Sequence, residues 1–402
     1  MKKVQKLSFL KKAVAATVAI PALTPFGFAQ DGDGLPALAS LGPLDFNASL
    51  FVQSVYDDNI FLAPPNVRTR DIITSVSPGM QVRYGEIGHA YSQLDYTPTF
   101  QFFRENGRND AINHDARFRI EKTFTRLTVG IAQSFSRVSD SAVGVAAAVP
   151  GAVAPNRLEQ DTFVTRLLSK YDFSDKTSFE VNGGLNVLDF QAAGLVSYKE
   201  YSNDNWLNYK ATEKITTSAG VTFGYADLSG PLPSQTYERG LLRVGYAAAE
   251  KLQFRATGGV EVRQIGGGRS DQVLPIFSIG ATYKPRESTT ISLDASRSQN
   301  VAIQNVGQNA TATGFTAEIR QDILRKLSLY FRGGFYNTEY TGGNRVDDYY
   351  SLKYGVDYKV TRRVTVGAFH MYRDNAATGT LPAPIAATFR NHQFGVQASA
   401  AF

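Results

Sequence analysis

Between Lys251 and Arg263 the chain reads Lys-Leu-Gln-Phe-Arg-Ala-Thr-Gly-Gly-Val-Glu-Val-Arg. Leu252, Phe254, Ala256, Gly258, Val260 and Val262 share one parity; Gln253, Arg255, Thr257, Gly259, Glu261 and Arg263 share the other. Successive side chains of an extended strand point to opposite faces, so the segment has one apolar face and one polar, charged face. The pattern recurs along the chain. Leu94, Tyr96, Pro98, Phe100 and Phe102 oppose Asp95, Thr97, Thr99 and Gln101, and Ala116, Phe118 and Ile120 oppose Arg117, Arg119 and Glu121. Leu327, Leu329, Phe331 and Phe335 oppose Ser328, Tyr330, Arg332 and Tyr336, and the chain ends on Phe394, Val396, Ala398, Ala400 and Phe402 in alternation with polar or small residues.

Alternation alone would suit a soluble sandwich, so the connections decide. Every second connection is short and charged, as at Gly85 to Gly88, Lys122 to Arg126, Ser174 to Lys176, Glu213-Lys214, Glu250-Lys251, Lys284 to Glu287, Arg325-Lys326 and Arg362-Arg363. The others are longer and rich in Gly, Pro, Asn or Ala, as at Ser139 to Asn156, Asn300 to Ala310, Asn337 to Asp348 and Asp374 to Ala387. This asymmetry predicts an all-β fold: a transmembrane antiparallel up-and-down β-barrel of about 18 strands (16–18), with short periplasmic turns and longer extracellular loops. Alternation is less clean over 188–209 and 273–285. An open sheet edge in hydrocarbon would leave backbone groups unpaired, so the last strand is expected to pair with the first, near Asn47 to Tyr56. Tyr and Phe near the segment ends, among them Tyr84, Phe124, Tyr171 and Tyr283 on the short-turn side and Tyr201, Tyr225, Tyr340 and Tyr372 on the other, read as two interfacial girdles.

The N-terminus carries Lys2, Lys3, Lys6, Lys11 and Lys12, an apolar run from Ala13 to Ile20, and Gly27-Phe28-Ala29, the order of a cleavable signal peptide. Pro21 and Pro25 interrupt the run, against a membrane anchor. The expected division is signal peptide 1–29, N-terminal periplasmic linker 30–45 and outer-membrane β-barrel 46–402. The net charge of +6 might suggest nucleic acid, but removing the five signal lysines takes 42 basic residues to 37, against 36 acidic. The mature chain is nearly neutral, so no nucleic-acid partner is expected. With no cysteine, disulfides and thiolate metal sites are excluded.

A barrel this wide leaves room for an aqueous lumen. The charged parity places Arg83, Arg117, Arg119, Arg243, Arg255, Glu261, Arg263 and Arg332 on its wall as candidate pore-lining residues. An excess of inward arginine would favour anions, whereas pairing across neighbouring strands would cancel it. His370 and His392 fall on the outward parity, near headgroup level, and Asp31-Gly32-Asp33-Gly34 lacks the later ligands of a calcium loop. No catalytic, cofactor or metal site is expected, and the chain is not read as an enzyme. Phe402, closing an alternating apolar strand, has the form of the C-terminal signal read by the barrel assembly machinery. A homo-oligomer is compatible with this barrel size, but no outward residue singles out an interface.

Ser54 to Leu62 reads Ser-Val-Tyr-Asp-Asp-Asn-Ile-Phe-Leu, followed at Arg70 to Met80 by Arg-Asp-Ile-Ile-Thr-Ser-Val-Ser-Pro-Gly-Met. This resembles the opening hairpin of the putative β-barrel porin 2 family. By itself, Tyr56-Asp57-Asp58-Asn59 also reads as a turn starting a loop, because Asp and Asn side chains bond nearby backbone. The resemblance implies an outer-membrane channel, and because some members accompany exopolysaccharide gene clusters it also implies a role in polysaccharide export. The expected function is passive diffusion of small solutes through an aqueous porin channel in the bacterial outer membrane, with surface-polysaccharide export and a non-conducting structural barrel as alternatives. Expected partners are outer-membrane lipid, the assembly machinery, and small solutes or polysaccharide.

Overall fold

The computed structural model describes residues 38–141, 157–191, 195–230, 232–249, 251–267, 270–302, 309–341, 344–379 and 388–402. The expected signal peptide lies outside the described residues, as do residues 142–156 of the long loop. The strands are β1 (Ala39–Leu41), β2 (Leu44–Asp57), β3 (Asp71–Gly85), β4 (Ala90–Phe103), β5 (Ala111–Thr123), β6 (Leu127–Ser141), β7 (Arg157–Asp172), β8 (Thr177–Phe190), β9 (Tyr198–Lys210) and β10 (Ile215–Leu228). There follow β11 (Gln235–Ala249), β12 (Leu252–Ile265), β13 (Gln272–Arg286), β14 (Thr289–Val301), β15 (Asn309–Leu324), β16 (Leu327–Tyr340), β17 (Val346–Lys359), β18 (Val364–Thr378) and β19 (Phe389–Ala401). β1 only folds back on β2, and β2 to β19 form a closed antiparallel barrel of eighteen strands in sequence order. The last strand pairs with the first from Gln393↔Asp57 to Ala401↔Ser49.

The alternation sets which face is which. Leu242, Val396, Val260 and Phe394 are among the most exposed large apolar side chains, at 69%, 60%, 47% and 53%, and all face outward as a lipid-contacting band. Their polar neighbours point inward, where Glu261, Arg263, Asp347 and Asn391 are at most 2% exposed. Among the described residues no helix is long and apolar enough to cross a membrane. The strands make the crossing.

The short turns are built by local hydrogen bonds. Ser174, Thr212 and Thr361 each accept at the hydroxyl from the backbone N–H groups two and three residues on, at 3.0 to 3.2 Å. Such side-chain closures reverse the chain in few residues. At the β3–β4 turn Gly85 has φ of 71°, and a Cβ there would lie 2.0 Å from the Ala90 carbonyl oxygen. Only glycine fits.

Candidate functional site

All eight candidate pore-lining residues lie on the inward face. Among the described residues seven of the eight, all but Arg255, make an ion pair, mostly on their own or an adjoining strand. Arg83 Nη2 is 2.9 Å from Asp45 Oδ2, Arg117 Nε 3.0 Å from Asp115 Oδ1, and Arg119 Nη2 2.6 Å from Glu121 Oε2. Arg332 Nε donates to Glu318 Oε2 at 2.7 Å. Arg255 and Asp294 both reach over Gly280, where a Cβ would sit 2.9 Å from Asp294 Oδ1 and 3.5 Å from Arg255 Nη2. Glycine leaves room for them to approach.

Two networks are more extensive. Glu261, wholly buried, accepts from Arg239 Nε and from Arg263 Nε, each at 2.7 Å, and Arg263 Nη1 also donates to Gln235 at 3.1 Å. Glu200, bonded to the Tyr237 hydroxyl, adds a second carboxylate to this cluster. Arg243 spans from β11 to β8: it donates to Asn208 Oδ1 at 2.7 Å, reaches Glu180 Oε2 at 3.5 Å, and lays its guanidinium 4.2 Å from the Trp206 ring centroid. Trp206 in turn lies flat over Gly220, where a Cβ would come within 2.5 Å of the ring. The inner wall is thus polar, with many of its charges paired.

The extracellular end is built differently. Leu158, Leu188, Phe190, Tyr198, Ala226 and Leu228 of β7–β10 belong to one buried apolar cluster with Val301, Ala310, Tyr340, Tyr349 and Phe389 of β14–β17 and β19. Residues from opposite walls therefore meet across the mouth. Leu62, in the loop between β2 and β3, completes this cap at 0% exposure. Its φ of 51° is unusual for a branched side chain and is held by Asn59, whose Oδ1 accepts from Ala63 N at 2.9 Å and whose Nδ2 donates to the carbonyls of Ala63 at 2.7 Å and Arg390 at 3.1 Å. Beside the cap, the buried pair Arg345–Asp347 stacks its guanidinium 4.6 Å from the Tyr340 ring.

The motif Tyr56 to Asn59 has a role that its turn chemistry alone did not reveal. Asp57 Oδ1 does accept from Asn59 N at 2.8 Å, as a loop-starting turn requires. The same carboxylate also takes Asn391 Nδ2 at 2.5 Å and Gln393 Nε2 at 2.6 Å, with Arg373 Nη2 at 3.8 Å, while Asp58 Oδ1 accepts from His392 N at 2.6 Å. The two aspartates staple the first barrel strand to the last.

His370 and His392 face outward, with His370 Nε2 3.2 Å from His392 Nδ1 and the His370 ring 4.4 Å from that of Phe394. His370 lies six positions after Val364, the first residue of β18, which is mid-strand and deeper than headgroup level. Among the described residues no group of three or more His, Cys, Asp or Glu could hold a metal ion.

No curated protein matches the sequence. Among solved structures the chain resembles the FrpB iron transporter of Neisseria meningitidis, with TM-score 0.50 and 9% identity over 89% of this chain and 82% of that one. OccAB3 of Acinetobacter baumannii aligns with TM-score 0.46 and 11% identity over 89% of this chain and 100% of the other. The opdK outer membrane protein of Pseudomonas aeruginosa aligns with TM-score 0.45 and 11% identity over 89% and 98%. These likenesses concern fold. The family model described as Putative beta-barrel porin 2 matches residues 242–397, which lie from β11 to β19 and not in the opening hairpin that carries the sequence resemblance. With its closed eighteen-strand barrel and outward apolar band, the protein is a porin-like β-barrel of the bacterial outer membrane, and its residues 242–397 match the putative beta-barrel porin 2 family.

Proposed function

We propose that the barrel is a channel for passive diffusion of small solutes across the outer membrane, and not an enzyme, with the apolar cap narrowing its extracellular end. The observation that carries this reading is the inner wall: charged side chains from Arg83 to Arg332 line the strands, and many of their charges are spent on one another. A wall of paired charges tolerates solutes of either sign.

The cap favours a second reading, a barrel that does not conduct at rest, because an apolar constriction can stop flow by dewetting. Single-channel conductance of the refolded mature chain in a planar bilayer under a salt gradient separates the two. A steady conductance with a small reversal potential supports the diffusion channel. A folded barrel that stays silent, even with Leu62 replaced by glycine, leaves the structural barrel.

A further inference from the structure

The lipid-facing surface is not uniformly apolar. On β9 the outward parity runs Tyr201, Asn203, Asn205, Leu207, Tyr209, and both tyrosines are 48% exposed. Tyrosines at the two ends of this run mark the two membrane interfaces, so Asn203 and Asn205 between them sit at hydrocarbon depth. Two strands away, Gln133 of β6 and Thr165 of β7 are a directly paired couple on the same outer face, with Thr165 Oγ1 bonded to Gln133 Oε1. On β8 between them, Gly183 pairs with Asn203 on one side and with Leu167 on the other.

This sector stands apart from the rest of the belt. Counted from the short turns, the matching outward positions elsewhere include Leu50, Val221, Leu242, Ile279 and Leu352. The other polar groups near that depth among the described residues bond across neighbouring strands: His370 to His392 at 3.2 Å, Tyr96 to His114 at 2.9 Å, and Arg297 Nη1 to Thr313 at 2.7 Å. The asparagines are only partly provided for. Asn205 Nδ2 donates to Asn203 Oδ1 at 2.5 Å and Asn203 Nδ2 reaches the Asn182 carbonyl at 3.4 Å, leaving amide N–H groups and Asn205 Oδ1 facing outward. Lipid tails can offer them nothing, so these groups call for a protein partner.

We propose that the outward face of β6–β9 is the contact by which two copies of this chain pair about a two-fold axis along the membrane normal. An amide carries both donor and acceptor, so a patch of amides complements its own image, which is what an isologous interface requires. A head-to-tail ring would instead set the amides against another sector. Among the described residues no other sector sets two amides side by side on the outer face at that depth.

The cysteine-free chain makes the test direct. A single Asn205→Cys variant in native outer membranes should form a covalent dimer under mild oxidation, whereas Val396→Cys, outward on β19, should remain monomeric. Light scattering of the detergent-extracted wild type should give two chains per particle, and Asn203→Leu with Asn205→Leu should give one while keeping the heat-modifiable gel mobility of a folded barrel. The proposal is overturned by a wild type that is monomeric or trimeric, by equal crosslinking at Val396, or by crosslinking of Asn205→Cys to a different protein.

Discussion

Asp57 in the first barrel strand accepts a hydrogen bond from Gln393 in the last, Nε2 to Oδ2 at 2.6 Å, across 336 positions of sequence. With Asn391 on the same carboxylate and Arg373 at 3.8 Å, the seam is held by a buried charge-assisted network as well as by the backbone ladder. Hydrogen bonds to an ionised group are stronger than neutral ones, and removing that group strands its partners.

Asp57→Ala should therefore cost about 3 kcal/mol, since it leaves a nearly buried arginine and two amides without their acceptor. The urea midpoint of the refolded barrel should fall accordingly. An unchanged midpoint would mean that the backbone ladder alone holds the seam.

The lipid face should respond to charge by depth. Leu242 lies seven positions from Ala249 at the periplasmic end of β11, and Phe254 only two from the start of β12. Leu242→Arg should destabilise by about 2 to 4 kcal/mol and Phe254→Arg by about 1 kcal/mol or less. Urea titrations in bilayers give the comparison, and a reversed order would show that the membrane is centred elsewhere on the barrel.

Glu261→Gln should leave half-buried Arg239 and buried Arg263 without their shared carboxylate. Stability should drop by about 2 kcal/mol, and because a negative charge leaves the lumen the reversal potential should move toward anion preference. A shift toward cations would contradict this assignment of the wall.

Leu62→Gly should be tolerated by the backbone, since glycine accepts φ of 51° without strain. It removes one side chain from the cap, so single-channel conductance or open probability should rise. Equal recordings would place the resistance elsewhere.

Deleting Phe402 should lower the amount of barrel reaching the outer membrane. Phe402 N donates to the Ala48 carbonyl at 2.8 Å and Ala48 N to the Phe402 carbonyl at 3.4 Å, so the deletion removes the final pairing of the seam. Immunoblots of outer-membrane fractions, read against total protein, provide the measure.

The strands and their inner and outer faces were legible because alternation is a local signal: Leu252 to Arg263 alone assigns β12. Closure followed from the cost of an open edge, and β19 does pair with Ser49 to Asp57. Other features were hidden for identifiable reasons. β9 read poorly because Asn203 and Asn205 break the apolar parity, and that break is itself the feature that matters there. The cap draws side chains from strands far apart in sequence together with loop residues, so no spacing encodes it. Asp57 looked like a turn former, and it is one; its second role depends on residues more than 300 positions away.

The position of the seam also constrains the order of assembly. One edge of β2 must wait, unpaired, until β19 has been made, and an unpaired edge is a template for pairing with the wrong chain. Because side chains alternate, a slip of one residue would set Asp57 and Asn391 on opposite faces of the sheet, so a misregistered closure loses the buried network at once. The two aspartates thus favour the correct register of closure over its neighbours.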